Sequence, residues 1–354
     1  MSCAHVNQDF FSIQLDHDFD YRLPLDFSLH ARYQGHTSMD DSNTTMATQQ
    51  DPESTSTQPT HTSKPTSNPT TPSTASISLR QYIYLLPHPL PPSTPTPYTP
   101  NLPHTNPLNL TTHLFEPTST LVLTSPQRTF VDLRFLKPAA PGESDLPNRG
   151  ERERLEWGFA GGSESKQVAD PNGGDWEGVM YTRWTAFVDS RYPIGSSEIP
   201  IDEGVMYPID AQRTLEVGHM YHPSVKAVRS HEEMWFDPAI TSTCRDGKKR
   251  CVVLRCWDDG MEMRDVEGSG ARGVVVRLGK WCQGVVKVGG GDVTCERWEW
   301  EGGEEEADGW KRVARIGDLM VPCGVAFRHE VLGVGGRIKY GVFEWVVEEV
   351  WEWE

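Results

Sequence analysis

The 354-residue sequence predicts an all-β fold: two tandem antiparallel β modules, each closed or nearly closed into a barrel, behind a disordered N-terminal tail. Three observations predict it. From Ile77 onward, short runs rich in Val, Ile, Thr and aromatic residues recur, bounded by Gly, Pro, Asn or Asp. Trp298-Glu-Trp300-Glu and Trp351-Glu-Trp353-Glu alternate strictly, as a strand with one buried face does. No segment sustains a capped 3.6-residue apolar period, which excludes a helical architecture.

The tail, residues 1–75, carries nine acidic and three basic side chains. Within it, 24 of the 39 positions from Thr37 to Ala75 are Ser, Thr or Pro and only four are apolar. Such a segment buries too little to offset the entropy of ordering its chain. Phe10, Phe11, Phe19, Tyr21 and Phe27 among its aspartates form an acidic-aromatic patch, and Asp40-Asp-Ser-Asn-Thr44 places acid ahead of hydroxyls. The first module spans 76–240, with strands expected at Ile77–Leu86, Thr120–Leu123, Thr129–Leu136, Leu155–Ala160, Val179–Val188, Thr214–Tyr221 and Val225–Phe236. His222-Pro-Ser-Val225 reads as a hairpin turn. The insertion 87–107 holds nine Pro in 21 residues and is expected to be an extended, solvated loop. A linker near 237–249 leads to the second module, 241–354, with strands at Cys251–Trp257, Gly273–Leu278, Gln283–Val288, Val293–Glu301, Trp310–Ile316 and Ile338–Trp353.

Composition removes several function classes. A net charge of −17 and a pI near 5.1 disfavour nucleic acid and anionic membrane surfaces as partners. No apolar run reaches the roughly 18 residues of a membrane span, and aspartates interrupt every stretch that could serve as a signal-peptide core. The seven Cys form no CxxC pair and read as reduced thiols of a cytoplasmic, or also nuclear, protein.

Glu116-Pro-Thr-Ser-Thr-Leu-Val-Leu-Thr-Ser-Pro126, Phe130-Val-Asp-Leu-Arg134 and Leu155-Glu-Trp-Gly-Phe-Ala-Gly161 resemble the fungal HRI protein family. So do Thr214-Leu-Glu-Val-Gly218, Glu232-Glu-Met-Trp235, Val274-Val-Val-Arg-Leu-Gly279 and Glu296-Arg-Trp-Glu-Trp300, in collinear order over roughly Ser76 to Glu354. The resemblance implies two tandem lipocalin-like barrels, a protein partner of the casein-kinase-I type, and no catalytic residues. The tail and the Pro-rich insertion depart from the family's compact pattern.

The residues themselves offer little enzymatic chemistry. His219, His222, His231 and Glu232 are expected not to converge on one metal, because positions three apart on a strand face opposite ways. There is no G-x-S-x-G elbow, and Gly333-Val-Gly-Gly336 lacks the Lys-Ser/Thr ending of a phosphate loop. No cofactor is implied. The expected function is a non-enzymatic protein-interaction module. The alternative is a carrier of a small apolar ligand in the first barrel, where Trp157, Trp184 and Asp189 neighbour Arg183 and Arg191, either of which could orient an acidic head group. Eight of the 12 Trp lie after residue 240 and are expected to fill the second module.

Overall fold

The computed structural model describes residues 75–102, 104–258, 270–303 and 309–354. The Ser/Thr/Pro-rich tail, with its acidic-aromatic patch, falls outside them. All described residues belong to one compact unit.

The chain is all-β. Strands β1 (Ser76–Leu86), β2 (Thr118–Thr124), β3 (Thr129–Leu136), β4 (Leu155–Gln167), β5 (Met180–Asp189), β6 (Asp202–Pro208), β7 (Arg213–His222) and β8 (Ala227–Phe236) form an antiparallel meander. It closes into a barrel when β8 pairs with β1, from Leu79↔Phe236 to Leu86↔Ser230. Strands β9 (Lys249–Asp258), β10 (Ala271–Leu278), β11 (Trp281–Val288), β12 (Asp292–Trp300), β13 (Trp310–Ile316), β14 (Arg337–Tyr340) and β15 (Phe343–Trp353) form the second module. It is a seven-stranded sheet in the order β13-β12-β11-β10-β9-β15-β14, so β13 and β14 are its edges. A four-residue helix, α1 (Cys323–Ala326), packs its apolar side against Val252, Leu254, Val286, Trp298 and Trp345 on one face of that sheet.

Three local differences from the sequence reading have physical causes. Strand β6 opens Asp-Glu-Gly and offers no apolar alternation, yet the barrel needs it to bridge β5 and β7. The run expected at Ile338–Trp353 is two strands, because Gly341 takes φ +61 in a tight turn that only glycine adopts cheaply. The Pro-rich insertion is exposed over much of its length, but it is anchored to the barrel at its centre. Its Tyr98 is fully buried and Leu102 is 4% exposed, and both pack with Tyr84 and Leu86 on the outer wall of β1.

What seats that insertion is Glu232, fully buried on β8, whose carboxylate accepts the backbone N–H of Tyr98 at 2.6 Å and of Thr99 at 2.7 Å. Replacing Glu232 by Ala leaves two buried donors unmatched, at a cost of about 1–3 kcal/mol each. The expected result is at least tenfold faster limited proteolysis within residues 87–107. Unchanged cleavage would show that proline stiffness alone holds the insertion down.

The barrel and the sheet share one core. Leu121, Leu123, Val131, Leu133, Phe135, Ala160 and Val188 on the outside of the barrel meet Cys251, Val253, Val274, Val276, Leu278, Val285, Cys295, Ala314 and Ile316 of the sheet. Gly158 lets this approach happen, since a Cβ there would sit 2.8 Å from Cys295 Sγ. Buried polar groups of the sheet also donate to barrel carbonyls. Arg297 reaches Leu133 O, Gln283 reaches Leu121 O and Val131 O, and Lys287 reaches Asp189 O and Ser190 O, all within 2.8–3.2 Å. A donor so desolvated must be matched, and each of these is.

Candidate functional site

Because the barrel's outer wall is apolar over the sheet, the alternate positions of its strands point polar groups inward. On β3, Val131, Leu133 and Phe135 face the sheet, whereas Phe130, Asp132 and Arg134 face the barrel interior. The interior accordingly divides into a charged half and an aromatic half.

In the charged half, Arg80 on β1 donates to Glu233 on β8 at 2.6 Å, to Glu116 at 2.7 Å and to Thr118 Oγ1 at 3.0 Å. Arg134 donates to Asp132 Oδ2 at 2.8 Å and stands 3.5 Å from Glu233. Burial alone would raise the Glu233 pKa, but the two guanidiniums win and hold it down at about 2. Asp132, 3% exposed, keeps its second oxygen Oδ1 without a hydrogen-bond partner among the described residues. Glu216 on β7 accepts Trp235 Nε1 at 2.8 Å, and among the described residues no cation lies in ion-pair range of it or of Asp202. Burial pushes the Glu216 carboxyl well above its usual range and that of Asp202 up to about 7, with Arg134 opposing both shifts. Gly204 and Gly218 make room here: a Cβ at the first would meet Glu216 Cγ at 2.8 Å, and at the second His231 Nε2 at 2.7 Å.

Histidines His222 and His231 meet in this space, Nε2 to Nδ1 at 3.1 Å, one imidazole N–H donating to the other ring. Burial pushes His231 down to about 4, so it is neutral at pH 7. His219 instead stacks on His88 at 4.6 Å, and Glu232 holds the insertion. The four residues do not gather, and among the described residues no group of three or more His, Cys, Asp or Glu is placed to hold a metal ion.

In the aromatic half, Trp157 stacks on Phe159 at 4.1 Å and Phe130 meets Phe159 edge-on at 5.0 Å, with Trp184, Ala186 and Met220 packed against them. The guanidiniums of Arg134 and Arg191 lie over the Trp157 ring at 4.8 and 4.3 Å. Trp157 Nε1 donates to Asp189 Oδ2 at 3.1 Å, and Arg191 pairs with Glu156 at 2.5 Å. Thus Trp157, Asp189 and Arg191 form one cluster, and Trp184 lines the wall beside it. Arg183 is placed elsewhere: it lies on the outer wall, about half exposed, 3.8 Å from Glu203. The sequence reading did not single out Arg80, Asp132, Arg134, Asp202, Glu216 or Glu233. The signal was present in Val131-Asp-Leu-Arg-Phe135, where charged and apolar residues alternate, but alternation alone does not say which face is the interior.

One end of the barrel is where β1, β3, β5 and β7 finish and β2, β4, β6 and β8 begin. The exposed Leu114, Phe115, Ile201, Tyr221, Val225 and Val228 all lie there. Near this mouth the inward-facing Trp184, Ala186, Asp202 and Met220 are only partly buried. A separate cleft of 440 Å³ lies at the linker into β9, between Ser242–Asp246, Arg250 and Trp300. Its Cys244 contacts Arg250, whereas Cys251 and Cys256 are buried in β9.

No helix of the described residues is long and apolar enough to cross a membrane. The comparison with curated proteins yields no match. Among solved structures, the crystal structure of the uncharacterized protein YLR301w from Saccharomyces cerevisiae shares the fold, with a TM-score of 0.51 and 16% identity. The match covers 78% of this chain and 98% of the yeast chain. The family model described as Protein HRI1 matches residues 107–349, about two thirds of the sequence and nearly all of the barrel and sheet beyond β1. By that match, this chain belongs to the Protein HRI1 family.

Proposed function

We propose that this chain is a non-enzymatic, cytosolic protein-interaction module whose partner is a protein kinase of the casein-kinase-I type, as the resemblance implies. The observation that carries the interaction reading is the β14 edge of the sheet. Among the described residues nothing pairs with its outer side, and exposed Val331, Val334 and Val342 surround it at 52%, 68% and 85% exposure. An open strand edge with apolar neighbours is a template for adding a partner's strand. Arg337 and Lys339 on that strand favour an acidic segment. The shared core supports the reading too, because a rigid body loses little conformational freedom on binding.

Affinity purification with the full chain and with residues 76–354 tests this. Both are expected to capture the kinase, and Val342→Asp is expected to weaken capture at least fivefold without lowering the melting temperature. Recovery of no specific partner by either form would overturn the reading.

A second reading, a small-ligand carrier, is favoured by one observation: the barrel mouth combines partly buried inward residues with an exposed apolar collar.

A further inference from the structure

We propose that the mouth of the barrel is a binding site for a small organic cation, an amine carried on an apolar or aromatic body, with Asp202 and Glu216 receiving the ammonium group. The proposal rests on the carrier reading and reverses the polarity of the head group that Arg183 or Arg191 would select.

Acidic side chains outnumber basic ones in the charged half of the barrel. Asp132, Asp202, Glu216 and Glu233 face inward, against the guanidiniums of Arg80 and Arg134. Both guanidiniums are already engaged, Arg80 by Glu233 and Glu116 and Arg134 by Asp132 and Glu233. Arg191 is engaged by Glu156 and lies over Trp157. Among the described residues, no inward-facing cation is therefore left to receive an anionic head group, and none lies in ion-pair range of Asp202 or Glu216.

An independent observation points the same way. The Oδ1 of Asp132, in a residue only 3% exposed, has no donor among the described residues. Buried carboxylate oxygens rarely stay unmatched, and such an atom marks where a donor belongs. An ammonium carries three donors and no acceptor, the complement of this acceptor-rich space. A metal ion is a poorer fit, since no three ligating side chains converge among the described residues.

The opposite wall suits the rest of such a molecule. Trp184 and Met220 are partly buried beside Phe130 and Trp157. Aromatic faces also attract a cation within about 6 Å. The collar of exposed apolar residues, Ile201 next to Asp202 among them, would cover a ligand's outer end.

Isothermal titration calorimetry of the full chain with 2-phenylethylamine, 3-phenylpropionate and 2-phenylethanol tests the proposal. The amine is expected to bind, with release of a proton seen as buffer-dependent heat. Asp202→Asn and Glu216→Gln are each expected to weaken it at least tenfold, with circular dichroism confirming the folded state. No amine binding, or unchanged affinity in both variants, would overturn it. Preference for the propionate or the alcohol would leave the carrier reading standing and remove the cation. Binding of none of the three would remove both.

Discussion

Glu233→Gln is expected to destabilise the protein by about 3–5 kcal/mol, read as a lower urea midpoint at pH 7, because it removes one member of a buried ion network. Glu233 stands 2.6 Å from Arg80 and 3.5 Å from Arg134, with all three side chains 8% exposed or less. The amide keeps the volume and one acceptor but not the charge. Both guanidiniums stay protonated, since the carboxylates around them hold their pKa values above the usual one although burial works the other way. Their remaining partners, Glu116 and Asp132, then carry the whole compensation. The folded Glu233 pKa of about 2 lies below its reference of 4.5. The charge therefore contributes fully above pH 4.5, and its contribution is lost as pH falls towards 2. The gap between wild type and variant should narrow through that window. Glu344→Gln, which breaks the exposed pair with Arg337, is expected to cost less than about 1 kcal/mol. Equal effects at the two sites would mean the barrel interior is far wetter than its packing implies.

The opposite sign is expected at Asp202 and Glu216, where Asp202→Asn and Glu216→Gln should stabilise the protein at pH 8. An Asp202 free in the unfolded chain ionises at 3.8, whereas in the barrel it keeps its proton to about 7. Stability therefore falls as pH rises from 3.8 to 7 and stays lower above it. The full shift converts at 1.36 kcal/mol per unit. Asp202 is partly open to solvent and titrates against Glu233, Asp132, Arg134 and Arg191, so the expected gain is smaller, on the order of 2 kcal/mol at pH 8. That gain should vanish near pH 4, and Glu216→Gln should behave alike. His231 acts in the other direction, since its folded value of about 4 makes stability fall as pH drops from 6.5. The comparison must therefore be variant minus wild type at each pH, by thermal melts. Variants less stable than wild type at pH 8 would show that these carboxylates are matched by donors after all.

Much of this architecture is legible in the sequence by itself. Thirteen runs read from the sequence fall on fourteen of the fifteen strands, with β14 and β15 joined in one run. β3 at Thr129–Leu136 and β13 at Trp310–Ile316 coincide with the sequence reading to the residue. The hairpin at His222–Val225 follows from its Pro and from two apolar flanks. Local rules suffice there because turns and strand propensity are local properties. They fail at β6, where Asp202 and Gly204 belong to the fold only because the neighbouring strands and Glu216 require them. They fall short also at the insertion, where nine prolines suggest solvation throughout and a single buried carboxylate seats Tyr98 and Thr99 against the barrel.

Tertiary structure alone decided which side of the first barrel is the inside. Asp132 and Arg134 alternate with Val131, Leu133 and Phe135, and in an isolated barrel the apolar set would face the centre. The seven-stranded sheet covers the outer wall instead, so burying the apolar set there turns the charged set inward. A period of two gives the sequence only two faces; the second module chooses between them, and that choice places the charged set in the barrel interior.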